Sequence, residues 1–183
     1  DTVMMALLEV MDARPDLILS GVNRGANLGE DATYSGTISA AMEGALAGVR
    51  SIALSQAYRK EGAGDAVTFD AAEAWGERAV RPLLEAEFRP GMLVSINFPP
   101  LPADQVQGIR VAEQGLRDYG RARMIRQTDP RGFPYYWLDF NGVADIKGQD
   151  TDFDAVRAGY VSVTPMHLDL TYHDALAQLT ARY

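Results

Sequence analysis

Three observations predict an α/β fold with a mostly parallel sheet. Short apolar runs recur at DLILS (16–20), RSIALS (50–55) and MLVSIN (92–97), each of a length suited to a buried strand. Segments with helical spacing lie between them. The order helix, strand, loop, helix, strand is that of parallel construction, in which each crossover carries a helix back over the sheet.

The elements follow in order. Val3, Met4, Leu7, Leu8 and Met11 recur at helical spacing, with Asp1 as an N-cap and Ala13-Arg14-Pro15 as a stop. A helix so close to residue 1, with no initiator methionine, gives the expectation of a processed chain or a fragment. The strand at 16–20 is followed by GVNRGANLGEDATY (21–34), whose three glycines, two asparagines and two acids read as a loop. SGTISAAMEGALAG opens the next helix, and Ala40, Ala41, Gly44 and Ala45 leave one face nearly bare for close approach to a sheet. After the strand at 50–55, residues 70–87 form a longer helix with Trp75, Ala79 and Leu83 on one face, which Pro82 should kink or break. The strand at 92–97 leaves into the stiff segment Phe98-Pro99-Pro100-Leu101-Pro102.

The character then changes. Val106–Val111 reads as a strand, and ARMIRQT and PYYWLDF, parted by the turn signal DPRG, read as a β-hairpin excursion within 106–148. Its aromatic cluster, Phe133, Tyr135, Tyr136, Trp137 and Phe140, suits a subunit interface, with packing onto the parent domain as the equal alternative. GYVSVTPM is a strand stopped by Pro165. Residues 166–183 are a C-terminal helical segment, the helix running from 169 with Asp169 or Thr171 as cap. The 183 residues make one domain.

Composition narrows the chemistry. There is no cysteine, which excludes disulfides, thiolate metal sites and cysteine nucleophiles. Two histidines, His167 and His173, cannot make a three-histidine zinc centre, and neither has a serine–acid arrangement beside it. A net charge of −8 argues against DNA, RNA or an anionic membrane as partner. No apolar stretch is long enough to span a bilayer, so a cytoplasmic protein is expected.

Ligands of parallel sheets collect where strands end and helices begin, and 21–37 occupies that place. The first amides of the helix around Ser35-Gly36-Thr37 have no intrahelical acceptor, Gly36 leaves room to approach them, and two hydroxyls stand beside them. A phosphate fits there; the plain alternative is that Ser35 is only an N-cap. Asn23, just past a strand, could ligate a hard divalent ion or support a turn, and Asn27 could face substrate or shape the loop. Asp31 is read first as a brace for loop amides. Asp150 and Asp152 suit a helix start as readily as a metal. No close carboxylate pair follows a core strand, which is a deficit for Mg²⁺ or Mn²⁺.

The run PDLILSGVNRGANLGEDATYSGTISAAMEG resembles the signature of the stationary-phase survival protein E (SurE) family, metal-dependent phosphatases of nucleoside monophosphates. The opening DTV, INFP at 96–99, TDPRG at 128–132, YYW at 135–137 and DTDFDAVRAGYVSVTPMHLDLT at 150–171 extend the similarity in order along the chain. The resemblance implies a Rossmann-like three-layer core with a projecting hairpin and a C-terminal helical segment, both used in a homodimer or homotetramer. It implies hydrolysis of nucleoside 5′- and 3′-monophosphates with Mg²⁺ or Mn²⁺. Asn23 matches a metal ligand, and Asn27, Ser35, Gly36 and Thr37 match the phosphate pocket. The family's Asn-Asp-Asp-Gly strand, which bears the catalytic and metal-binding aspartates, has no match in these residues, so no catalytic residue is expected here. An inactive nucleotide-binding or assembly module is the alternative.

Overall fold

The computed structural model describes residues 2–58, 68–118, 122–139 and 150–183. Among the described residues seven strands form two sheets. β1 (Leu17–Arg24), β2 (Arg50–Gln56), β3 (Met92–Phe98), β7 (Tyr160–His167) and β4 (Gly108–Val111) make a five-stranded sheet in that spatial order. The pairs β1–β2, β2–β3 and β4–β7 are parallel, and β3–β7 is antiparallel. β5 (Arg123–Thr128) and β6 (Pro134–Asp139) form a separate hairpin.

Helices cover both faces of the large sheet. On one face α2 (Gly36–Leu46) packs Ile38, Ala41 and Ala45 onto Ala53 and Leu93. The bare face of α2 serves the predicted close approach: a Cβ on Gly44 would overlap Ser51 and Ile18. On the other face α3 (Asp70–Glu85) lays Ala72, Trp75 and Ala79 against Ile52, Leu54, Val94, Ile96 and Phe98. The result is three layers, as the resemblance implies. Burial of these branched side chains is the main favourable term, at about 25 cal/mol per Å² of apolar surface.

Several elements depart from the sequence reading. Asp1 lies outside the described residues. The first helix is α1 (Thr2–Met5) followed by a wider turn at Ala6–Val10, where the Met11 amide reaches back to the Ala6 carbonyl. β1 runs on to Arg24, through positions that read as loop, because a register shift between Ser20 and Asn23 lets it keep pairing with β2. α3 continues three residues past Pro82, whose missing amide costs only one bond in the final turn. β7 passes through Pro165. That residue pairs with Val94 of β3, and β4 has already ended at Val111 opposite Val163, so the proline nitrogen forfeits no ladder bond. The last helix, α5 (His173–Thr180), starts later than predicted, and neither Asp169 nor Thr171 caps it. Instead Asp169 accepts from the Thr171 amide and lies 3.0 Å from His173 Nε2. Asp150 and Asp152 flank the start of α4 (Asp152–Arg157), capped by Thr151.

The hairpin forms at the predicted place. Both strands are exposed along their length apart from the half-buried Asp139, so packing onto the sheet is not what its aromatics do. Tyr135 and Trp137 meet edge to face with centroids 6.2 Å apart. Phe140 lies outside the described residues.

Candidate functional site

The carboxyl ends of the parallel strands carry one polar row. Asn23 of β1 stands opposite Ser55 of β2, Ser55 opposite Asn97 of β3, and Asn97 opposite Ser162 of β7. Apolar alternation fills this face with Ala53 and Leu93 further down, and it turns polar where α2 begins. Ser55, Asn97 and Ser162 are fully buried, and the hydroxyls of Ser162 and its neighbour Thr164 have no hydrogen-bond partner among the described residues.

The loop after β1 is seated on that row. The Asn27 amide donates to Asn97 Oδ1 at 2.8 Å, and Asn97 Nδ2 donates to the Asn27 carbonyl at 3.1 Å. Asn97 thus treats Asn27 as a neighbouring strand would, exchanging both backbone bonds through one side chain. The Asn27 side chain donates in turn to Ser55 Oγ at 2.7 Å. Asn27 therefore shapes the loop. Asn23 donates through Nδ2 to the Gly25 carbonyl at 3.0 Å, which supports the turn.

Past Asn27 the chain makes a 3₁₀ turn, Gly29–Thr33, and enters α2. Ser35 is the N-cap: its buried hydroxyl accepts from the Ile38 amide at 3.1 Å. Its oxygen is thus engaged, and only its proton is left to donate. A Cβ placed on Gly36 would meet nothing within 4 Å, so open space stands before the first amides of α2. Gly36 and the half-buried Thr37 face that space with helix-start amides that lack intrahelical acceptors.

Asp31 braces the loop, as read from the sequence. It accepts the Leu28 amide at 3.3 Å and a two-pronged bond from the Arg117 guanidinium at 2.6 and 2.9 Å. Asp152 is buried and accepts amides from Gly29 (2.7 Å), Gly115 (2.9 Å) and Phe153 (2.9 Å). Burial pushes its carboxyl above the ordinary range, against the pull of those amides and of Arg117. The histidines sit apart from the site: His167 Nε2 lies 3.1 Å from the Pro90 carbonyl, and His173 meets Asp169.

Sequence reasoning missed Asn97, Ser55 and Arg117; it placed Asp152 at a helix start but not as the acceptor of the Gly29 amide. The INFP run held the only signal for Asn97: a polar residue at the end of an apolar strand, aligned with Asn23 once the register is known. Against a divalent metal the donor set is short. Among the described residues no three His, Asp or Glu side chains converge. A lone amide oxygen from Asn23 does not fit Mg²⁺ or Mn²⁺, which draw most of their binding from carboxylates.

The family model described as Survival protein SurE matches residues 1–121. The chain belongs to the SurE family. It is 60% identical over 184 residues to a protein of Rhizorhabdus wittichii named 5′-nucleotidase SurE, covering 100% of this chain and 72% of that protein. A protein of the same name from Erythrobacter litoralis is 52% identical, with the same coverage. The crystal structure of the SurE protein from Aquifex aeolicus superposes with a TM-score of 0.77 at 36% identity, over 100% of this chain and 71% of that one. Of the runs that carry the resemblance, LILSG opens β1, GTISAAMEG lies in α2 behind its cap Ser35, and INF ends β3.

Proposed function

We propose that this chain carries the phosphate-binding part of a nucleotidase that releases phosphate from nucleoside 5′- and 3′-monophosphates. One observation carries the reading: the open start of α2 lies beside the polar ends of three parallel strands, in a family whose curated relatives are named 5′-nucleotidase. The amides of Gly36 and Thr37 and the Thr37 hydroxyl bind the equatorial phosphoryl oxygens and stabilise the charge that grows on them. The Asn27 carboxamide bounds the pocket on the strand side. These groups are held in place before substrate arrives, so binding spends little on ordering them.

Dependence on Mg²⁺ or Mn²⁺ is the finer part of the proposal and rests on the resemblance. Asn23 would add its carboxamide oxygen to carboxylates from outside residues 1–183. The assembly we propose is a homodimer or homotetramer joined through the exposed hairpin, whose Trp137 is 63% exposed. Phosphate release from a panel of nucleoside monophosphates, with and without Mn²⁺ and using the complete gene product, tests the reading. Release from nucleoside monophosphates supports it, and no release from any of them overturns it. Nucleotide binding without release, with Mn²⁺ present, favours the binding-module alternative, since no carboxylate cluster occurs among the described residues. Asn23→Ala should weaken metal affinity; an unchanged metal titration with lower turnover removes the ligand role.

A further inference from the structure

Two charged side chains outside the phosphate pocket hold its loop from below. Asp152 Oδ2 accepts the Gly29 amide, while Oδ1 accepts the amides of Gly115 and Phe153. One carboxylate thus ties the 3₁₀ turn before α2 to the strand-like segment after β4 and to the start of α4. Two residues past Gly115, Arg117 forks onto Asp31 with Nη1 at 2.6 Å and Nη2 at 2.9 Å, and its backbone amide donates to Glu30 at 3.1 Å. The Phe153 ring fills the joint. The Arg117 guanidinium carbon lies 4.5 Å from its centroid, a Cβ on Gly29 would come within 2.6 Å of it, and a Cβ on Gly115 would overlap it.

The joint grips Gly29, Glu30 and Asp31, five to eight residues before the amides of Gly36 and Thr37. This turn leads through Tyr34 and Ser35 directly into α2, whose first amides those are. An ion cluster needed only for stability is replaceable by packed apolar groups and is a weak stabiliser. Here the carboxylate bonds are spent on backbone amides of the pocket loop, which fixes geometry.

We infer that Asp152 and Arg117 are positioning residues for phosphate binding: together they set the 3₁₀ turn so that the start of α2 faces the substrate's phosphate. The inference rests on the proposed nucleotidase reading.

Asp152→Asn is the sharper test. An amide has one oxygen. If that oxygen stays with Gly115 and Phe153, the NH₂ group faces the Gly29 amide donor to donor, and the turn is released. Arg117→Lys removes the fork to Asp31 and the flat stack on Phe153 while keeping the charge. Val161→Ala, in the core on the far face of the sheet, serves as a stability control. In the complete protein, nucleotide kinetics and a ³¹P titration of inorganic phosphate are read beside the melting temperature. Asp152→Asn should raise KM and the inorganic-phosphate Kd about tenfold and lower kcat with them, since the same amides stabilise the growing charge, a tenfold change in Kd being about 1.4 kcal/mol. Arg117→Lys should raise both about threefold. Val161→Ala should lower the melting temperature and leave both unchanged. The inference is overturned if Asp152→Asn and Arg117→Lys keep wild-type KM and phosphate Kd, or if Val161→Ala raises them as much as the other two. Should Asp152→Asn fail to fold, Arg117→Lys decides alone. Wild-type protein that neither binds phosphate nor turns over nucleotide overturns the nucleotidase reading and this inference with it, an outcome separate from variants that match an active wild type.

Discussion

The loop at 25–35 and the hairpin at 123–139 reverse what their compositions suggest. The loop is polar, yet its amides and side chains are tied to residues 55, 97, 117 and 152. The hairpin carries Met124, Ile125, Phe133, Tyr135, Tyr136, Trp137 and Leu138, yet all of them are exposed. Partners decide burial, and composition records only what kind of partner would suit. The polar loop finds donors and acceptors within its own chain. The aromatic hairpin presents a surface that a second copy could cover.

The largest effect should come from the joint beneath the loop. Phe153 is 7% exposed, and Phe153→Ala should cost about 3–5 kcal/mol, read by urea unfolding. A loss under about 1 kcal/mol would mean that the loop is held otherwise. Next, Asn97→Ala leaves the Asn27 amide and carbonyl without their partner and should cost about 1–3 kcal/mol. Inorganic phosphate affinity should fall with it, and unchanged affinity would separate the row of strand ends from the pocket.

On the exposed side, acid should act locally. The Thr171 hydroxyl and amide, and then His173, hold the Asp169 carboxyl at about 2, below its usual 3.8. A depressed carboxyl contributes stability above its unfolded value, and that contribution disappears as pH falls through the folded one. The turn before α5 should therefore be kept above about pH 4 and lost towards pH 2. Amide chemical shifts of Thr171 and His173 through an acid titration check this, and Asp169→Asn should flatten the profile. The smallest effect on folding should be at Trp137. Trp137→Ala should change unfolding free energy by less than about 0.5 kcal/mol while lowering the sedimentation coefficient. Unaltered sedimentation would remove the hairpin from the interface.

Much of the fold is legible because its signals are local. RSIALS and MLVSIN are apolar runs that became fully paired strands, and Ser35 before a small-residue run marks the start of α2. The errors fall where a distant neighbour overrules a local signal. Gly21 and Asn23 read as turn formers but continue β1: Gly21 lies in the register shift, and Asn23 resumes the pairing opposite Ser55 of β2. Pro165 reads as a stop, but β4 has ended before it matters. The candidate site divides in the same way. Asn23, Asn27, Ser35, Gly36 and Thr37 stand close in sequence, and their grouping could be read directly. Asn97, Arg117 and Asp152 could not, because each meets the loop only through the tertiary fold.

That distance also orders events in time. The bonds that seat the loop join residues 70, 86 and 123 positions apart. Contacts of such separation pay the largest loop-closure entropy and form slowly. On a ribosome the strands of the first half can pair while the segment bearing Asp152 is still unmade. A nascent chain should therefore pair β1, β2 and β3 before its phosphate pocket is seated, and competence to bind substrate should await the C-terminal third.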